Sequence, residues 1–258
     1  MSYADLFSLK GRKAVVTGGC GYLGSETVKG LADFGADVVV ITRKIREIEG
    51  LSRPVRYLEC DLGDTERLKE VLKEAAGENE TIDILLTMAS DRGAGVLNDV
   101  EDMDDEYWAK GIDGTVGITF RTIREAIPYM KNSRGGSIIT VGSLYAVGAP
   151  DPRTYFDTPF SSTPNYGAGK AATLELTKFC ASYLAKYGIR ANCVSPGSCP
   201  HPAVQENALF KKRLADKTML GRIGYPEDLV GVTVFLASDA SKFVTGVNIM
   251  VDGGQTAW

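Results

Sequence analysis

A short apolar run, a glycine-rich turn and a helix-like stretch follow one another without a break near the start of the chain. No other feature narrows the possible folds so far. Lys13-Ala-Val-Val-Thr17 is rich in β-branched residues, as a buried strand requires. Gly18-Gly19-Cys20-Gly21-Tyr22-Leu23-Gly24 comes next, then a helix-like stretch from Ser25 to Phe34 closed by Gly35. Glycines in such a turn let the backbone approach a pyrophosphate, and the helix N-terminus offers unpaired N–H groups and the positive end of its dipole. A second strand, Asp37-Val-Val-Val-Ile41-Thr42, arrives at the spacing that a dinucleotide-binding βαβ unit needs.

The end of that second strand bears on the ribose. Folds that select NAD place an acidic residue there, which accepts from the 2′-hydroxyl and repels a 2′-phosphate. This chain has Thr42-Arg43-Lys44, two cations and no carboxylate. A guanidinium at Arg43 suits stacking on adenine and a forked pair with a 2′-phosphate. NADP(H) is therefore the expected cofactor, ahead of NAD(H).

Strand-like and helix-like runs keep alternating. Val55–Cys60, Ile82–Thr87, Ser137–Val141, Ile189–Val194 and Gly246–Val251 read as strands; Thr65–Ala76 and Pro226–Leu236 read as helices. Glu106 to Lys131 is helical in pattern, although Gly111, Gly114 and Gly117 weaken it. Repeated β-α order with apolar strands implies a doubly wound, Rossmann-type α/β fold. The expectation is about seven parallel strands with helices on both faces, in one domain over residues 1–258. A formal net charge of −4 points neither to nucleic acid nor to an acidic membrane surface, and no apolar run is long enough to span a bilayer. Five cysteines without a CxxC pair fit a reduced, cytoplasmic protein lacking structural zinc. His201 is the only histidine, which leaves no histidine-based metal cluster and no Ser-His-Asp triad.

Reaction chemistry has its best candidate in Tyr166-Gly-Ala-Gly-Lys170, which follows a loop rich in Pro, Ser and Thr and opens an apolar helix-like run. Four residues apart on a helix, the two side chains share a face. A phenol near pKa 10 is only about 0.1% ionised at neutral pH. An ammonium about 5 Å away, at an effective dielectric near 20, favours the phenolate by roughly 3 kcal/mol, which would fit Tyr166 to trade a proton with an alcohol or carbonyl oxygen.

As a set, these residues resemble the short-chain dehydrogenase/reductase family in its short, single-domain branch. The resemblance runs from about Leu6 to Gly254. It rests on Thr17-Gly18 with Gly24, Cys60-Asp61-Leu62, Gly142-Ser143, Tyr166-x-x-x-Lys170, Ser195-Pro196-Gly197 and Val251-Asp252-Gly253-Gly254. It implies Tyr166 as acid/base, with Lys170 supporting it and bonding the nicotinamide ribose. Ser143 would hydrogen-bond the substrate oxygen. Gly18, Gly21, Tyr22, Leu23, Thr42, Arg43, Asp61, Leu62 and Ala89 would hold the nucleotide, and Pro196 and Gly197 would line the nicotinamide. A homo-oligomer, dimer or tetramer, is also implied, and the apolar face after Lys170 suits burial against identical copies.

The chain departs from the family pattern in several places. Gly18-x-x-Gly21-x-x-Gly24 has the spacing of the longer sugar-nucleotide epimerase branch, for which too few residues remain to build a substrate domain. Thr87-Met88-Ala89-Ser90 replaces Asn-Asn-Ala-Gly, and Thr115 stands where the family keeps an asparagine that helps hold a water beside the lysine. Thr115 is the expected stand-in for that proton path. The loop from Ala149 to Pro164 lengthens the interval between Ser143 and Tyr166. Arg153 there could engage an acidic substrate and Tyr145, Tyr155 and Phe160 a ring, or the loop could pack on its own aromatic residues or a neighbouring subunit. The segment Pro196-Gly-Ser-Cys-Pro-His201-Pro202 is also unusual, with His201 a loop residue or a substrate ligand. Two functions stay open: an NADP(H)-dependent oxidoreductase interconverting a secondary alcohol and a ketone on a small polyhydroxylated or acidic molecule, or a cofactor-binding homologue with little turnover.

Overall fold

The central strands of this chain are buried on both faces, and their side chains divide by parity between two cores. The computed structural model describes residues 2–91, 100–133 and 135–258. In order the elements are β1 (Lys13–Thr17), α1 (Tyr22–Asp33), β2 (Asp37–Thr42), β3 (Arg56–Glu59), α2 (Thr65–Ala76), β4 (Ile84–Thr87), α3 (Asp105–Ile112) and α4 (Ile118–Lys131). There follow β5 (Gly136–Val141), α5 (Pro164–Leu184), β6 (Ile189–Pro196), α6 (Pro202–Gln205), α7 (Ala208–Ala215), α8 (Val230–Ala237) and β7 (Asn248–Val251). The strands form one parallel seven-stranded sheet in the order β3-β2-β1-β4-β5-β6-β7. Among the described residues no helix is long and apolar enough to cross a membrane.

The register explains the two cores. Val15 lies between Val39 of β2 and Leu85 of β4, and all three point to the face covered by α2, α4 and α5. Their neighbours Ala14, Val16, Val38, Val40, Ile84 and Leu86 point the other way, against Val28 and Leu31 of α1 and Leu236 of α8. A period of two on strands covered from both sides yields continuous apolar runs instead of polar alternation. Each fully buried Val, Leu or Ile contributes about 1.5–3 kcal/mol relative to exposure, so both faces are strongly held.

Several boundaries differ from the pattern in the sequence. α1 starts at Tyr22, not Ser25, because Gly21 already serves as its N-cap. The run from Asp105 to Lys131 is one helical rod interrupted by a π-helical turn at Asp113–Gly117. Its glycines admit neighbours: a Cβ on Gly114 would stand 1.8 Å from the Asp91 carbonyl oxygen, and one on Gly111 2.1 Å from the Asn165 amide nitrogen. The segment starting at Pro226 is a 3-10 turn through Leu229 before α8 begins. α6 and α7 carry too little periodicity for the sequence pattern to announce them.

Candidate active site

The strand order reverses at β1 and β4, so the loops leaving their carboxyl ends part to opposite faces and open a crevice. A cleft of about 930 Å³ lies there. Gly18, Gly21, Tyr22, Leu23, Thr42, Arg43, Asp61, Leu62 and Ala89, drawn from the ends of four different loops, all line it. Gly18 adopts φ +71°, and a Cβ there would stand 2.7 Å from the Ala89 backbone nitrogen. A Cβ on Gly24 would stand 2.4 Å from the Gly18 carbonyl oxygen, so α1 begins flush against the turn. The N-caps Asp64, Asp104 and Asn207 of α2, α3 and α7 each accept a backbone N–H with their side chains. Gly21 caps α1 with none, which leaves the first-turn amides available to an anion. Cradle, helix end and cleft volume fit a dinucleotide.

Electrostatics at the β2 end of the cleft are mixed. Arg43 forms an ion pair with Asp91 across the cleft, and Lys44, Arg46 and Lys110 also line it. Asp91, Arg46 and Lys110 went unread in the sequence. Only Arg46 had a signal, three residues beyond Arg43; the other two reach the cleft through the fold alone. Asp61 keeps its loop turned by accepting from the Gly63 amide at 2.8 Å. Arg121 donates to the Leu62 carbonyl at 3.0 Å and forks onto Asp113 at 2.7 Å, holding the Asp113 carboxyl below the usual range. Burial pushes the Cys60 thiol up to about 11, which makes it a poor nucleophile.

The cleft ends at Val141, and Ser143, Tyr166, Lys170, Pro196 and Gly197 stand beyond it at the carboxyl ends of β5 and β6. Tyr166 and Lys170 share a face near the N-terminus of α5. The Asn165 amide pins that turn to α3 by donating to the Tyr107 carbonyl at 2.9 Å. Lys170 is only 5% exposed, and its ammonium lies 5.9 Å from the centre of the Tyr166 ring and donates to the Val141 carbonyl at 2.7 Å. That bond ties the pair to the strand that Ser143 follows. The same segment packs on α5 at Gly167, where a Cβ would stand 3.3 Å from the Tyr145 carbonyl oxygen. Ser143 is buried and its hydroxyl accepts from the Tyr145 amide at 3.1 Å, which leaves its O–H to donate. Gly197 rests on the chain's tail: its amide donates to the Val251 carbonyl at 2.9 Å, and a Cβ on it would stand 2.5 Å from the Asp252 Cα.

Thr115 sits in the π-helical turn against α5, its hydroxyl oxygen 1.8 Å from where a Cβ on Gly169 would stand. Its O–H turns back to the Gly111 and Ile112 carbonyls at 2.9 and 3.1 Å. Arg153 does not converge on Ser143. Its side chain is 82% exposed and forks onto Asp151, which also takes Lys217 at 2.5 Å. The cause is local: Asp151 caps the 3-10 turn at Pro152–Thr154 and lies two residues from Arg153. Tyr145 shares a 2.5 Å hydrogen bond with the Tyr155 phenol, while Tyr155 and Phe160 pack on Phe210 of α7 at ring distances of 5.7 and 4.7 Å. Of the two readings of the long loop, the structure displays the one in which its aromatic residues pack on the protein itself.

Comparison with known proteins follows the same outline. A family model described as Enoyl-(Acyl carrier protein) reductase matches residues 22–256. Cyclohexanol dehydrogenase of Rhodococcus sp. (strain TK6) is 32% identical over 281 residues, covering 98% of each chain. A short-chain dehydrogenase structure from Leptospira borgpetersenii with bound NAD+ superposes with TM-score 0.87 at 31% identity, covering 99% of this chain and 96% of that one. A structure described as an NAD(P)-dependent gluconate 5-dehydrogenase from Beutenbergia cavernae, with bound NADP, gives TM-score 0.83 at 28% identity over 98% and 100%. Fold, site and relatives agree: the chain belongs to the short-chain dehydrogenase/reductase family of nicotinamide-dependent oxidoreductases that act on CH–OH groups.

Proposed function

We propose that this protein interconverts a secondary alcohol and a ketone on a small hydroxylated molecule, with NADP(H) as its preferred cofactor. The observation that carries the reading is the buried Lys170 ammonium, held at the end of β5 by Val141 and set beside the Tyr166 ring. A bound nicotinamide supplies or accepts the hydride. In the reducing direction negative charge grows on the substrate oxygen, and Tyr166 and Ser143 are the hydroxyl donors available to it. Tyr166 is placed to give that oxygen its proton, with Lys170 beside its ring. Arg43, Lys44 and Arg46, with no carboxylate at the end of β2, support the phosphorylated cofactor. Arg153 is committed to Asp151, so the case for an acidic substrate loses its anchor and a neutral polyol or hydroxyketone is preferred.

Incubating the protein with NADPH and a panel of ketones, and with NADP and a panel of polyols, tests the reading. Tyr166→Phe should lower turnover by about 10²- to 10⁴-fold, the range of a general acid/base, while NADPH binding persists. Full activity in that variant would remove Tyr166 from its role. The turn of the Thr115 hydroxyl towards its own helix favours one other outcome, tight NADPH binding without oxidation by any substrate, which would mark a cofactor-binding homologue with little turnover.

A further inference from the structure

A tyrosine at the end of the glycine turn and the unusual Pro- and His-containing segment after Gly197 meet in the folded chain. Tyr22 is the first residue of α1 and stands half-buried on the wall of the cleft. Its phenol oxygen accepts from the Gln205 side-chain amide at 3.2 Å, and the same nitrogen donates to the Pro200 carbonyl at 2.8 Å. The His201 ring stands edge-on to the Tyr22 ring, with centroids 5.2 Å apart at 60°. His201 is the N-cap of α6 and Gln205 its last residue, so both ends of this short helix reach the start of α1. From the other side Val204 packs into the cluster of Phe210, Leu214 and Ile223.

The segment leaves the sheet at the end of β6 and is tied back to the element that follows β1. It therefore straps the carboxyl edge on which the cleft opens. A neutral hydrogen bond between half-buried partners shifts an equilibrium by about 2- to 10-fold. Such a tie biases the strap without locking it.

We propose that Tyr22 and Gln205 form a clasp that holds residues 200–205 against the glycine turn and thereby sets how fast a dinucleotide enters and leaves the cleft. The inference rests on the dinucleotide reading of that cleft. Tyr22 is in this view a positioning residue, acting on the strap through Gln205; His201 supplies a ring edge and needs no contact with substrate.

The test uses Tyr22→Phe, which keeps the ring against His201, and Gln205→Leu, which keeps the bulk, alone and together. In the ligand-free protein, amide hydrogen exchange across residues 203–206 should quicken by about 2- to 10-fold in each variant while the sheet strands exchange as before. NADPH dissociation, followed by stopped-flow fluorescence, should quicken by a similar factor and the cofactor KM should rise. The double variant should match Gln205→Leu, since that change already removes the one bond that Tyr22→Phe takes away. Unchanged dissociation in both single variants, or effects that simply add, would overturn the clasp. Wild-type protein that binds neither NADPH nor NADH would overturn the dinucleotide reading and the clasp's role together. Normal wild-type binding with unaltered variants sinks the clasp alone.

Discussion

Arg43 illustrates how far a single residue can be read before folding. Its charge and place at the end of β2 were legible, since strand ends and cations are visible in a sequence. Its partner was not, because Asp91 lies 48 residues away and reaches the cleft only through the β4 loop. A 2′-phosphate would have to exchange with that carboxylate for the guanidinium. Arg43→Ala should weaken NADPH binding by about 10- to 100-fold, the range for a charged hydrogen-bonding partner, and NADH binding far less. Equal loss for both cofactors, measured by titration, would deny Arg43 its part in selection. Thr87 makes a different case. The residue is 3% exposed, and its hydroxyl, like that of Thr17 opposite it in register, is buried with no hydrogen-bond partner among the described residues. Thr87→Val removes a buried polar group at constant shape, so it should stabilise the protein by about 1 kcal/mol, or raise Tm by about 2–4 °C. A fall in Tm of that size would mean that the hydroxyl has a partner in solution. Arg153 had a competitor that the sequence places only two residues away, Asp151, with which it pairs.

At the scale of elements, strands were the easiest to read. β1 and β2 match their expected bounds because Ala14–Val16 and Val38–Ile41 are unbroken apolar runs, as strands covered on both faces require. α6 and α7 leave little trace in the pattern because they are short, flanked by proline or asparagine, and α7 is held through Phe210 by the Tyr155 and Phe160 rings, which come from a distant stretch. The π-helical turn hid behind three glycines that read as helix breakers and serve instead as points of close approach. α4 is fastened to the cleft edge by Arg121, whose fork depresses the Asp113 carboxyl. A depressed folded-state value means that the pair stabilises above the unfolded carboxylate pKa, near 4, and that this is lost as pH falls through the folded value. Arg121→Met should therefore be less stable than wild type at pH 7, by under about 1 kcal/mol because Asp113 is half exposed, with the gap closing below about pH 4. Urea unfolding from pH 7 to pH 2.5 checks this, and a gap that widened in acid would contradict it.

For the molecule as a whole, alternation of strands and helices sufficed to anticipate the parallel sheet and its two covered faces. It said little about which surface meets a partner. α5 carries Phe179 and Tyr183, exposed by 64% and 50% and stacked on each other at 5.9 Å, on the side away from the sheet. Rings on an outward face suit burial against a second copy. Changing both Phe179 and Tyr183 to Glu should convert an oligomer to monomer in light scattering with circular dichroism unaltered; a monomeric wild type would dispose of the idea. The π-helical turn at Asp113–Gly117 has a consequence on this scale too. It winds one more residue into its turn than an α-helix of the same phase would, and so sets the phase between two halves of one rod. Rewound to α-helical pitch at unchanged length, the rod would swing Tyr107 about 100° around the axis relative to Met130 and release Asn165. Such a rewound chain would keep its far-ultraviolet spectrum while the tyrosine that depends on that hold drifted out of line.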